Sequence, residues 1–181
     1  TTLPHLRSLS IVGPHRVTGV SDTLSRRKVF SCRPLSQAEE TPCAADIVRR
    51  LSTQAFRRPV SDKDHARLMT FYARGRKDKN FEFGVTKALE AILASPQFLL
   101  RVEETPTRLA TSSYRLGDYE LASRLSFILM GSGPDAELLK LAGEGRLAVP
   151  GALSKQAKRL LALPRGDALA TRFASQWLRL Q

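Results

Sequence analysis

The chain has 181 residues, 42% of them hydrophobic, enough apolar material for a folded core and too much for a disordered composition. Its formal net charge of +12 makes any electrostatic partner an acidic one, or else marks a solvated basic face. No apolar run approaches the roughly 20 residues that span a bilayer.

The charge is uneven. Residues 1–35 carry six basic and one acidic side chain and residues 44–79 ten basic and four acidic, whereas residues 80–115 balance. The chain opens on Thr1 and stops at Gln181 inside a helical pattern, which predicts a fragment of something longer. Residues 1–40 read as an arm, the tail of a preceding domain. Ser10-Ile11-Val12 before Gly13-Pro14, and Lys28-Val29-Phe30-Ser31-Cys32 before Arg33-Pro34, have the composition of short strands.

From residue 41 the pattern is helical. Thr41-Pro42 supplies a cap and a first-turn proline, and Ala44, Ile47, Val48, Leu51 and Ala55 recur at helical spacing. Pro59 ends that helix. Ser61 and Asp64 form a capping box with the shorter acid, and His65, Leu68, Met69 and Tyr72 stripe a second helix. Asn80 caps a third, whose buried face is Val85, Leu89, Ile92 and Leu93, and residues 97–102 continue as a short apolar segment after Pro96.

Residues 103–115 are polar and predict a linker between a first helical domain, 41–102, and a second, 116–181, truncated at its C-terminal end. In the second, a helix over about Asp118–Met130 turns Ala122, Leu125, Ile128 and Leu129 inward. Gly131–Pro134 breaks it. A fifth helix runs through Leu138, Leu139 and Ala142, and a sixth opens at Pro150 with Leu153, Ala157, Leu160 and Leu161 on one face. The seventh spaces Leu169, Phe173 and Trp177 four apart, which reads as core. The fold class is therefore all-α: an irregular bundle of about seven short helices with an extended or short-strand N-terminal arm.

The chemistry-bearing residues are few. Cys32 and Cys43, the only cysteines, read equally as a disulfide or as two reduced thiols. With the scattered His5, His15 and His65 they give no metal-ligand spacing, and no CxxCH attaches haem here. Arg57-Arg58 at a helix end either complements the helix dipole or clamps an anion or carboxylate in bidentate fashion. Asp118 and Tyr119 are the candidate lining of a pocket. Glu120 and Arg124 are spaced for an ion pair on one helix face.

Taken together, Arg26–Pro34, Cys43-Ala44, Ala55–Val60 and Ala91–Leu99 resemble a planctomycete-type helical domain of unknown function. Tyr114–Phe127, Pro134–Leu139 and Phe173–Leu178 resemble the helical domain that follows it in such proteins. The resemblance implies a large exported protein, periplasmic or extracellular, with cytochrome-c-like modules and sometimes carbohydrate-binding ones elsewhere in the chain. It implies a Cys32–Cys43 disulfide, and places any haem c outside this segment, which itself calls for no cofactor. Met130-Gly131-Ser132-Gly133 departs from the pattern, in which an aromatic precedes a serine-rich turn. The family brings no catalytic residues.

Three functions follow as expectations. The first is a non-catalytic helical scaffold or interaction module of an exported, cytochrome-associated redox protein, whose partners are neighbouring domains of its own chain. The second is part of an oxidative enzyme acting on polysaccharide, with Arg57 or Arg58, Asp118 and Tyr119 gathered at one concavity. The third, a nucleic-acid binder, rests on charge alone and ranks last.

Overall fold

Every regular element among the described residues, which are 10, 12, 21–101, 103 and 114–179 of the computed structural model, is helical. The chain divides into two compact units, Thr1–Ser31 and Cys32–Gln181.

In the first unit Thr23 accepts the Arg26 N–H at 3.1 Å and opens α1, Leu24–Val29. Asp22 accepts from Nε and one terminal nitrogen of Arg27, at 3.1 and 2.7 Å, just ahead of that helix. The strand expected at Lys28–Cys32 is thereby corrected. Lys28 and Val29 close a capped helix, and a cap satisfies amides that a lone strand would leave open. The other expected strand includes Ile11, outside the described residues, as are His5 and His15.

The second unit begins with a helix longer than the sequence reading allowed. α2 runs Gln37–Phe56, so Pro42 lies in its second turn and Thr41 is not its cap. The acids explain the added turn. Glu39 reaches back to the Leu35 N–H at 2.9 Å, and Glu40 takes Arg76 Nε at 2.6 Å, both beside the positive helix end. Pro42 has no N–H for the Ala38 carbonyl, but Ala38 is exposed and water can serve it. Cys43, buried in α2, forms the disulfide with Cys32.

α3, Asp62–Asp78, starts on Ser61, whose hydroxyl accepts the Asp64 N–H at 3.1 Å and donates to the Asp64 carboxylate at 2.9 Å. α4, Phe81–Leu93, starts on Asn80, which accepts the Phe83 N–H at 2.9 Å. Ala44, Ile47 and Val48 of α2, Leu68 and Tyr72 of α3, and Val85, Ala88 and Ile92 of α4 are buried among these helices. Leu93, expected on that face, is exposed at the end of α4. His65 ties α3 to α2, its Nε2 lying 3.0 Å from the Ala45 carbonyl oxygen.

α3 and α4 pack closely at Gly84. A Cβ there would lie 2.8 Å from the Tyr72 carbonyl oxygen and within 2.9 Å of the Tyr72 ring. In an open helix, glycine to alanine gains about 1 kcal/mol. Here overpacking against backbone costs about 1–3 kcal/mol. Gly84→Ala is therefore expected to lower stability by up to about 2 kcal/mol, read as a fall in the urea midpoint, where propensity alone predicts a rise.

α5, Pro96–Leu99, is a single turn capped by Ser95. α6, Asp118–Met130, α7, Ala136–Gly143, α8, Ala152–Leu161, and α9, Asp167–Trp177, follow, with 3₁₀ turns at Arg146–Ala148 and Pro164–Gly166. Ala122 and Leu129 of α6, Leu138 and Ala142 of α7, Leu147 and Leu160 close a second apolar core, against which Tyr119, Leu125 and Leu169 pack. Ile128 and Leu161, expected inside, are exposed; the buried stripe of α6 instead takes in Ser126.

Phe173 and Trp177 also depart from expectation. They stack on each other, centroids 5.8 Å apart, and are 61% and 73% exposed. A spacing of four advances about 40° beyond a full turn at each step. Leu169 meets the core, and two steps later Trp177 has rotated off it.

Asp135 joins α7 to α8. Its carboxylate accepts the Leu138 N–H at 2.9 Å and both terminal nitrogens of Arg159, at 2.7 and 3.0 Å. Burial pushes the Asp135 pKa up, but the Arg159 and Leu138 hydrogen bonds outweigh it and hold the group below the ordinary range. A depressed folded pKa contributes stability that is present above the unfolded value and lost as pH falls through the folded one. Chemical denaturation at pH 7 and at successive steps below pH 4 should show that loss, and Asp135→Asn should flatten it.

Candidate functional site

The site forms where the turn after α2, the α5 turn and α6 meet. α2 ends at Phe56, and Arg57 takes the left-handed conformation, φ 60° and ψ 21°, that reverses the chain before Pro59. This backbone sends the guanidinium across to α5. One terminal nitrogen donates to the Ala55 and Phe98 carbonyls at 3.2 and 3.3 Å; the other donates to Gln97 and Leu100 at 2.7 and 2.9 Å. The carbonyls of Gln97, Phe98 and Leu100 are ones that a single-turn helix leaves open at its C-terminal end. The cation therefore complements the dipole of α5 as well as the end of its own helix.

Arg57 and Arg101 both lie over the Phe127 ring, 5.9 and 4.7 Å from its centroid. Burial lowers the Arg57 pKa first, and the neighbouring charges of Arg101 and Arg58 lower it further. Arg124 crosses from α6 to Glu103 and pairs with both carboxylate oxygens at 2.5 Å. The Arg124 hydrogen bonds hold the Glu103 carboxyl below its usual range. The ion pair expected between Glu120 and Arg124 is thus corrected: Arg124 takes the planar, two-pronged partner that Glu103 offers, and a guanidinium fork favours that geometry over a single contact along a helix.

Between these groups lies an open cleft of about 680 Å³. Arg57, Arg58, Arg101 and Arg124 supply its cations, Glu103 and Glu120 its anions, and Phe56, Pro96, Leu100 and Ile128 its apolar surface. Tyr119 lines it as well. The tyrosine hydroxyl reaches the end of α7, where a Cβ on Gly143 would come within 2.8 Å of it. Asp118, expected beside Tyr119, faces away. Its carboxylate accepts the Leu147 N–H at 3.0 Å and Arg115 at 3.3 Å, anchoring the 3₁₀ turn instead.

The structure thus brings Arg57, Arg58 and Tyr119 to one concavity and leaves Asp118 out. Arg101, Glu103 and Gln97 were not singled out from the sequence. The run Arg101-Val102-Glu103, charged residues closing an apolar segment, was the available signal for two of them. Gln97 acts through its carbonyl, which carries no sequence signature. Among the described residues no group of three or more His, Cys, Asp or Glu is placed to hold a metal ion, and no helix is long and apolar enough to cross a membrane.

An all-helical, disulfide-bonded chain with an arginine-rich cleft is the class that fold and site define. Residues 43–103 match the family model PSD5, a protein of unknown function (DUF1595), and residues 116–181 match PSD4, a protein of unknown function (DUF1592). The chain carries these two domains consecutively, and neither description names an activity. No curated protein and no solved structure matches it.

Proposed function

We propose that this chain is a helical scaffold and interaction module of an exported, cytochrome-associated redox protein. The observation that carries the reading is how the charged side chains at and beside the cleft are used. Arg57 is committed to the carbonyls of Gln97, Phe98 and Leu100, Asp118 to the Leu147 N–H, and Arg124 to Glu103. Each bond fastens one element to another, which is the work of a framework. The disulfide favours an oxidising compartment. The partners in this reading are neighbouring cytochrome-c-like domains, to which haem c belongs, and in some such proteins carbohydrate-binding ones.

The test is isolation of the full-length protein from its source, with cell fractionation, a haem stain and a pyridine haemochrome spectrum. Recovery from the periplasm or cell surface with covalent haem, while the 181-residue chain stays colourless, is the expected result. A cytosolic, haem-free protein overturns it.

A second reading, part of an oxidative enzyme acting on polysaccharide, has one observation in its favour: Arg57, Arg58 and Tyr119 line a single cleft. Turnover of an acidic polysaccharide by the full-length protein, abolished by Tyr119→Phe, would replace the scaffold reading with this one.

A further inference from the structure

We infer that the domains 43–103 and 116–181 are hinged bodies, and that the Arg124–Glu103 pair, with the two arginines over Phe127, is a polar latch holding the cleft between them at one width. This goes beyond the scaffold reading and does not depend on it. Both domains lie in the compact unit Cys32–Gln181, yet each has its own core. Extensive helix packing joins α2–α5 to one another and α6–α9 to one another. The side chains that pack on the second core all come from residues 119–169, so the first domain adds none. Three side-chain contacts do cross the joint, and all are polar or cationic. Arg57 and Arg101 lie over the Phe127 ring, and Arg124 of α6 takes both carboxylate oxygens of Glu103. The carbonyls that Arg57 binds belong to the first domain, so those bonds do not cross.

Such a joint is soft. Cation–π contacts and ion pairs at exposed sites are each weak, and salt screens the ion pair. The side chains of Arg124 and Glu103 are 55% and 26% exposed, within reach of that screening. Small polar interfaces between domains permit relative motion, whereas large apolar ones suppress it. The cleft of about 680 Å³ is the space the motion changes: Phe56, Pro96 and Leu100 line it from one domain, Tyr119, Ser123 and Ile128 from the other. Leu100 and Ile128 are 58% and 62% exposed, so neither is sealed against the opposite wall. Glu103 is the last residue of the first domain, which puts the latch where the chain leaves that body.

The test is a double electron–electron resonance measurement between nitroxides at Lys77→Cys on α3 and Lys155→Cys on α8, both exposed positions. The native cysteines are joined to each other, so only the introduced thiols take a label. At low salt the parent should give one narrow distance distribution. Sodium chloride at about 1 M, where the screening length falls to about 3 Å, should raise the population outside the main peak about two- to fivefold. Glu103→Gln should do the same at low salt. The exchange Glu103→Arg/Arg124→Glu, which restores the pair with its charges reversed, should narrow the distribution again. Glu90→Gln, which breaks an exposed ion pair inside α4, should leave it unchanged. A distribution that ignores both salt and Glu103→Gln, one that narrows as salt is raised, an exchanged pair no narrower than Glu103→Gln, or equal broadening in Glu90→Gln each overturns the inference.

Discussion

Arg57→Ala is expected to lower the unfolding free energy by about 3 kcal/mol, although the residue lies in a turn and bears a charge. The substitution removes a guanidinium that holds carbonyls on both sides of the joint: Ala55 at the end of α2, and Gln97, Phe98 and Leu100 around α5. A hydrogen bond with a charged donor is worth about 1.5–3 kcal/mol, and the solvent near Phe98 and Leu100 recovers part of that. Three variants separate the causes. Arg57→Gly should be about 1 kcal/mol less damaging than Arg57→Ala, because only glycine adopts φ near 60° without a Cβ penalty. Arg57→Lys should fall between Arg57→Ala and the parent, since an ammonium lacks the fork that spans several carbonyls. Urea unfolding followed by circular dichroism measures all of them. Arg57→Ala within about 0.5 kcal/mol of the parent would mean that the bonds to α5 contribute nothing net.

Reduction of the Cys32–Cys43 disulfide should have the next largest effect, about 2.5–3 kcal/mol. The two residues are 11 apart, and closing a loop of that length removes roughly this much chain entropy from the unfolded state. The bond also fixes the segment before α2 to a buried position inside it, ahead of the turn in which Glu39 holds the Leu35 N–H. In a chain of this size the loss corresponds to a fall of about 5–10 °C in Tm on adding dithiothreitol. A Cys32→Ala/Cys43→Ala double variant should start at the lower Tm and show no further response to the reductant. Equal melting with and without dithiothreitol would sink the prediction.

The two largest effects differ in how far the sequence foretold them. The cysteine pair was visible as a pair, and the residues alone left oxidised and reduced forms equally open. Arg57 was visible as a cation at a helix end. Its partners were not, since three of its four acceptors are backbone carbonyls some forty residues on. A carbonyl looks the same in every residue, so no composition or spacing announces one.

Capping was read well where a side chain does the work. Ser61 and Asn80 bond the amides that their positions imply, because an N-cap acts over three residues and needs nothing distant. The start of α2 was misplaced because Pro42 was weighted above the pair Ser36 and Glu39, which has capping-box spacing and whose acid reaches the adjacent Leu35 amide. The stripes of α4, α6 and α8 were right in phase and too wide, with Leu93, Ile128 and Leu161 at their exposed margins. Periodicity gives the direction of a buried face; its width depends on what lies opposite.

By itself the amino-acid sequence determined the helical class of this protein, most of its helix starts, and the pair of cysteines that closes its N-terminal loop. These rest on local physics: capping, propensity and 3.6-residue periodicity act within a turn or two. Only the tertiary structure decided that Arg124 chooses Glu103 over Glu120, that Asp118 turns away from Tyr119, and that four arginines share one cleft. Those outcomes depend on which segments meet across long stretches of chain, where a side chain takes the best partner within reach whatever its distance in sequence.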